Sequence, residues 1–288
     1  MRACAGLGHG VRQRRGGTPG RLRGGARSAE LWPDPRGGPL ILHSVEAGQG
    51  PPIVLLHGLF GAARNLGEVH RRLVREGFRA VSLDLRNHGA SGHAAEMGYA
   101  AMARDVADTL AALGVGRAAV LGHSMGGKVA MALALAQPER VERLVVADIA
   151  PLGYPPHFRS YAAAMLAVPE AASRADADAL LAPVVADAAV RMFLLQNRVA
   201  GGWRIGLAEI AAALPAIEGW EPGPCAGYGG KVLAVLGRRS DYVGPEGRAA
   251  FARTFADVRF VVLDGAGHWL HAEDPAGFGD AVAGFLVG

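Results

Sequence analysis

Six short runs of mainly apolar residues punctuate the chain, at 52–56, 79–83, 118–121, 143–148, 231–236 and 259–263. Runs of this length, apolar at consecutive positions, are expected of strands covered on both faces. A further entry strand is read over 39–47. Between the runs the period changes to that of helices. Over 99–113, Met102, Val106, Leu110 and Leu113 fall on one face, with Arg104, Asp105 and Asp108 opposite. Helices are also expected over 66–76, 128–136 and 245–255. A closing helix is capped by Asp274 and opened by Pro275, with Phe278, Ala281, Val282 and Phe285 on its apolar face. Strand–helix alternation of this kind predicts an α/β fold. It takes the form of a doubly wound, mostly parallel central sheet of about eight strands flanked by helices, with right-handed connections. The alternation fails over 152–229, where helical stretches at 158–167, 176–186 and 190–197 follow one another. That segment is read as a helical cap inserted into a core made of 39–151 and 230–288.

Composition changes this picture at one end only. The chain has 288 residues and a formal net charge of +4. Residues 1–38 hold eight arginines against Glu30 and Asp34, a net of +6, so the remainder carries −2. The basicity therefore belongs to a Gly/Arg/Pro-rich stretch without periodicity, read as a disordered basic tail. Three origins compete, a start codon set too far upstream, an organelle transit peptide and a functional basic arm, and the first is preferred because the stretch has little Ser and no clear amphipathic helix. A cytoplasmic location follows from the first, and an organelle matrix from the second. A nucleic-acid partner is not expected, since that needs a basic face on the fold. No apolar run reaches the length of a membrane span. Cys4 and Cys225 lie far apart, which fits a reducing compartment better than a disulfide framework.

The candidate chemistry sits where apolar runs end. Gly122-His123-Ser124-Met125-Gly126 lies between the run 118–121 and a helical run, which is the strand–turn–helix setting of a nucleophile elbow. Ser124 is the candidate nucleophile. The helix start behind it offers the Met125 N–H to a developing oxyanion. His57-Gly58-Leu59-Phe60-Gly61 follows another strand, with the Leu59 N–H as a second oxyanion donor and His57 as a structural hydrogen-bonder. The loop from Asp84 to Gly92 is rich in turn-forming and charged residues, which fix loop geometry. Asp148 closes the run 143–148, where open parallel sheets place ligands. Among ten histidines, His268 alone lies in a glycine-flanked loop just after the last strand, with His271 its nearest rival. A serine hydroxyl needs an imidazole to take its proton. The imidazole in turn needs a carboxylate to hold its tautomer. The order serine, acid, histidine is one of the known chain orders for such a set.

The segments His57–Gly61, Asp84–Gly89, Gly122–Lys128, Asp148–Pro151 and Gly265–Glu273 together resemble the α/β-hydrolase superfamily. Within it the chain from Pro39 onward looks like the small YbfF-type bacterial esterases and their mitochondrial abhydrolase-domain relatives. The usual superfamily position for the acid points to Asp241. The narrower resemblance points instead to Asp148, with Ser240 as an auxiliary hydroxyl near His268 and Asp241 as the alternative acid. The resemblance implies a serine hydrolase cleaving carboxylic esters or thioesters, with short acyl groups preferred, and Trp203, Trp220 and Met165 of the cap available to close the pocket. No metal or organic cofactor is implied, because the histidines lack metal-binding spacing. The expected partner is a small-molecule ester or thioester. A C–C bond hydrolase or enol-lactonase on the same residues, and a non-catalytic binding module, remain open alternatives.

Overall fold

Seven strands, ordered β1-β3-β2-β4-β5-β8-β9, form the central sheet of the computed structural model, which describes residues 40–288. The expected basic tail lies outside the described residues. In chain order, β1 (Ser44–Ala47), β2 (Pro52–Leu56), α1 (Gly67–Arg75), β3 (Arg79–Leu83), α2 (Tyr99–Ala112), β4 (Ala118–His123), α3 (Met125–Ala136) and β5 (Val141–Ala147) build the first half. Then come α4 (Arg159–Leu166), α5 (Arg174–Leu181), α6 (Ala188–Leu195), the two-residue strands β6 (Arg198–Val199) and β7 (Gly202–Trp203), and α7 (Leu207–Glu218). The second half of the core is β8 (Lys231–Gly237), α8 (Pro245–Thr254), β9 (Asp257–Leu263), α9 (Leu270–Glu273) and α10 (Pro275–Val287).

Only β1 runs antiparallel, paired with β3; every other pairing in the large sheet is parallel. The sheet has seven strands among the described residues rather than about eight. The stretch 39–47 supplies one strand of four residues, and β6 and β7 pair only with each other. Alternate residues of each central strand face opposite layers, as the pleat requires. Val54 and Leu56 of β2 join one buried cluster with α2 and α3, while Ile53 and Leu55 join another with α1 and α10. The near-continuous apolar runs in the sequence follow from this two-sided cover.

Local departures have local causes. The helix read over 176–186 ends at Leu181, just before Pro183, and α6 starts at Ala188, where the Asp187 carboxylate accepts from the Ala189 and Val190 N–H groups. Helix α7 and the β6–β7 pair were not read from sequence. Pro215 lies inside α7 and disguises it. Asp105, read as part of the polar face of α2, is buried, because Arg86 from the loop after β3 binds it through two hydrogen bonds of 2.5 and 2.6 Å.

Candidate active site

Ser124 stands between the last residue of β4 and the first of α3, at φ 52° and ψ −121°. A non-glycine residue at positive φ costs of order 1–3 kcal/mol and persists only where the surroundings fix it. Here they do. The Ser124 N–H donates to the Ala147 carbonyl at 2.9 Å, continuing the β4–β5 ladder one residue past its end. The flanking glycines are required by close approach. A Cβ on Gly122 would lie 2.1 Å from the Gly126 carbonyl oxygen, and one on Gly126 would lie 2.4 Å from that of Leu56.

Three strands deliver the remaining groups. Asp148 follows β5, also at positive φ, and its N–H donates to the Val235 carbonyl of β8 at 2.9 Å. His268 comes from the loop after β9. The Ser124 hydroxyl lies 3.1 Å from His268 Nε2, and His268 Nδ1 lies 2.8 Å from Asp148 Oδ2. The side chain of Asp148 is only 1% exposed, and its other oxygen, Oδ1, accepts from the Gly237 N–H at 3.1 Å. Ser240 donates its hydroxyl hydrogen to Asp148 Oδ2. The oxygen it reaches is the one that also lies 2.8 Å from His268 Nδ1. Asp241 is exposed.

His268 is held by groups the sequence reading did not single out. Tyr242 stacks on its ring at 4.0 Å between centroids, with an 18° interplanar angle. His123 Nε2 lies 2.9 Å from the His268 carbonyl, to which it donates. Burial keeps His123 neutral by pushing its pKa well below the ordinary value, with His271 and His268 adding to the effect. The signal for Tyr242 was its place two residues after Ser240. The signal for His123 was its place beside the nucleophile.

The loop 57–61 is braced by two more neutral histidines. His57 Nδ1 donates to the Gly58 carbonyl at 2.8 Å, and its Nε2 accepts the Leu85 N–H at 3.0 Å. His88 Nε2 accepts the Phe60 N–H at 3.1 Å, and its Nδ1 donates to the Arg86 carbonyl at 2.9 Å. Both rings therefore serve as structural links. Burial lowers the pKa of each, that of His88 to about 3. Asp84 bonds the N–H groups of Ala63 and Ala90, at 2.7 and 2.9 Å. The charged loop after β3 thus holds the loop 57–61 in place. Leu59 has no acceptor for its N–H among the loop's backbone bonds, and Met125 carries one of the unpaired N–H groups of the α3 start.

Two cavities meet at Ser124. The larger, of about 320 Å³, is lined by the serine, His268, Phe158, Tyr161, Phe193 and Trp269. The smaller, of about 50 Å³, is bounded by the serine, Leu59 and Met125 and by Lys128, Tyr99 and Tyr154. Trp203, Trp220 and Met165 line neither. Trp203 Nε1 donates to the Met165 carbonyl at 3.0 Å, and Trp220 packs on Tyr99. The aromatics of residues 152–229 that face the cavity are instead Phe158, Tyr161 and Phe193. Among the described residues no group of side chains could hold a metal ion.

A family model described as the α/β hydrolase fold matches residues 51–275. The chain belongs to this α/β-hydrolase family. It is 41% identical to the mouse (Mus musculus) protein named sn-1-specific diacylglycerol lipase ABHD11, over 82% of this chain and 81% of that one. It is also 41% identical to Esterase YbfF of Escherichia coli, over 78% of this chain and 88% of that one. The solved structure titled Marine microorganism esterase superimposes with a TM-score of 0.81 at 32% identity, covering 85% of this chain and 99% of that one. The α/β-hydrolase expectation drawn from the glycine-bounded loops is thereby met.

Proposed function

We propose that this ester-bond hydrolase works through an acyl-enzyme on Ser124, with His268 as the base and Asp148 as its orienting acid. The observation that carries the proposal is the unbroken Ser124–His268–Asp148 hydrogen-bond chain. His268 takes the hydroxyl proton as Ser124 Oγ bonds to the substrate carbonyl carbon. The oxyanion formed is stabilised by the Leu59 and Met125 N–H groups. The imidazolium returns the proton to the leaving oxygen or sulfur as the acyl–heteroatom bond breaks. Water then attacks the acyl-enzyme by the reverse proton path, releasing the acid and free Ser124.

The two cavities support a reading of where the two halves of the substrate sit. The group that protonates the departing alcohol or thiol must face it, and His268 borders only the larger cavity. The leaving group therefore occupies that larger, apolar space. The acyl group occupies the smaller one, against the Met125 end of the oxyanion site. A cavity of about 50 Å³ exceeds the roughly 10–15 Å³ needed for one water only a few times over, so short acyl groups fit and long chains do not. The test combines a fluorophosphonate, which tags an activated serine, with a series of p-nitrophenyl esters of rising acyl length. We expect stoichiometric labelling and a rate that is highest for acetyl to butyryl esters. A folded protein that is neither labelled nor active would reduce it to a binding module. Rates climbing steadily to palmitoyl would refute the assignment of the cavities.

A further inference from the structure

The Tyr242 ring that stacks on His268 is itself held from behind. Tyr242 lies in the loop after β8. Its N–H donates at 3.3 Å to Ser240 Oγ, the hydroxyl that binds Asp148. Its carbonyl accepts the hydroxyl hydrogen of Tyr154 at 2.8 Å. Tyr154 lies in the loop between β5 and α4, and the same hydroxyl accepts the Ala150 N–H at 2.9 Å. One phenol oxygen therefore joins the loop that carries Asp148 to the loop that backs His268. The two tyrosine rings also meet, with centroids 5.4 Å apart and planes tilted by 53°. Tyr154, Tyr242 and His268 thus form a row of rings.

Tyr154 has little freedom of its own. Its N–H donates to the Glu218 carbonyl at 2.8 Å. The buried Lys128 ammonium lies 4.8 Å from its ring centroid and donates to the Gly219 carbonyl at 2.6 Å. Burial pushes both phenols up, that of Tyr242 to about 12 with Asp148 adding to the effect, so each keeps its proton at neutral pH. The Tyr154 hydroxyl can then donate to one backbone group while accepting from another, and the ring facing His268 stays uncharged. When His268 takes the Ser124 proton it becomes an imidazolium, and the face of an aromatic ring attracts a cation. We propose that Tyr242 and Tyr154 are positioning residues for the hydrolysis: Tyr242 supports His268 as the imidazolium forms, and the Tyr154 hydroxyl fixes Tyr242 against the Asp148 loop. The support grows with the charge on the imidazole. It is therefore greater in the transition state than in the resting enzyme, and it acts on kcat. The proposal rests on the acyl-enzyme reading, with His268 as the base.

The test is a double-mutant cycle in the full-length protein. It reads kcat and KM on p-nitrophenyl acetate and p-nitrophenyl butyrate, and the rate of serine labelling by a fluorophosphonate. Each variant is assayed where urea unfolding shows it fully folded. Tyr242→Leu removes the stacked ring and should lower kcat and labelling by about five- to thirtyfold, the range for a partly to largely desolvated contact of a cation with a ring. Tyr242 also borders both cavities, so the split between constants matters. KM should stay within about twofold, and the loss in kcat should be the same for both esters. Tyr242→Phe, which keeps a ring, should recover most of that loss. Tyr154→Phe deletes only the bridging hydroxyl and should lower kcat by about three- to tenfold. In the Tyr242→Leu background the same change should cost less than about twofold, because no stacked ring is left to transmit it.

An unchanged kcat in Tyr242→Leu, a loss carried by KM or differing between the esters, or no recovery in Tyr242→Phe overturns the support of His268. An equal loss from Tyr154→Phe in both backgrounds overturns the coupling and leaves Tyr154 a tether for its own loop. In each of these cases the parent protein's turnover and serine labelling persist, and the hydrolase reading stands. If the parent shows neither, the acyl-enzyme reading fails and the positioning role fails with it.

Discussion

At the carboxyl edge of the sheet, each of the three side chains proposed to react is held through its own backbone. Ser124 and Asp148 each donate an N–H to the neighbouring strand, and the His268 carbonyl is tied to buried His123. The helical segment over that edge is attached differently. Polar links tie it to the core at scattered points, among them Asn197 to the Phe60 carbonyl at 2.7 Å, the Gly206 N–H to the Asn87 carbonyl at 2.9 Å, Lys128 to Gly219 and Tyr99 to Ile217. Its outer face exposes Leu166, Leu180, Val184 and Met192, each between 44% and 60% accessible. On the proposed reading the edge holds the reacting groups in register, whereas the helices shape the space above them. Changes at the edge should act on kcat, and changes in the helices on substrate choice.

The largest effect that could break this comparison is expected at Ser124. Ser124→Ala should lower kcat by about 10⁶, as removing such a serine does in a well-studied serine hydrolase. Its unfolding midpoint should hardly move, since the change deletes one partly buried hydroxyl. Substantial turnover in a verified sample of the variant would dismiss Ser124 as nucleophile.

Acid should act next, and through the edge. Burial lowers the pKa of His57, His88, His123 and His271, to about 3 for His88 and about 4 for His271. A histidine whose folded pKa lies below its unfolded value stabilises the fold fully above about pH 6.5. That contribution is lost as pH falls toward the folded pKa. Each such ring can add at most about 1.4 kcal/mol of loss per pH unit in this window. Urea unfolding at intervals from pH 7.5 to 4.5 should show stability falling below about 6.5. A flat profile would mean that these rings are not held neutral.

A smaller effect is expected where the helices touch the edge. Asn197→Ala removes the donor to the Phe60 carbonyl, in the loop 57–61, and should cost about 1–3 kcal/mol of stability. It should raise KM for bulky benzyl esters more than it lowers kcat. Equal losses in kcat across all substrates would show that the helical segment sets the chemistry as well as the space.

How much of this was legible follows the same division. The strands and the elbow could be read because parallel strands buried on both faces leave apolar runs. The loops that follow them had to be glycine-rich where backbones approach within a Cβ's reach, as at Gly122 and Gly126. Asp148 was legible as an acid at a strand end, although the choice over Asp241 came from resemblance. The helical segment was not legible in the same way. Pro215 hid α7, and the aromatics facing the cavity proved to be Phe158, Tyr161 and Phe193, because which residues face inward depends on contacts distant in sequence. The burial of Lys128 and of Asp105 was invisible for the same reason. A charge on a helix reads as solvated until its tertiary partner is known.

The claim on which all this turns is that a buried strand-end carboxylate, Asp148, orients His268. The decisive measurement is kcat for Asp148→Asn, Ser240→Ala and Asp241→Asn, assayed together on p-nitrophenyl acetate with folding verified by circular dichroism. Asp148→Asn should lose about 10⁴, the scale set by removal of a triad aspartate. Ser240→Ala, which deletes one hydrogen bond to that carboxylate, should lose much less. Exposed Asp241→Asn should stay near the parent. A crippled Asp241→Asn beside a nearly normal Asp148→Asn would contradict the assignment and move the acid to the loop after β8.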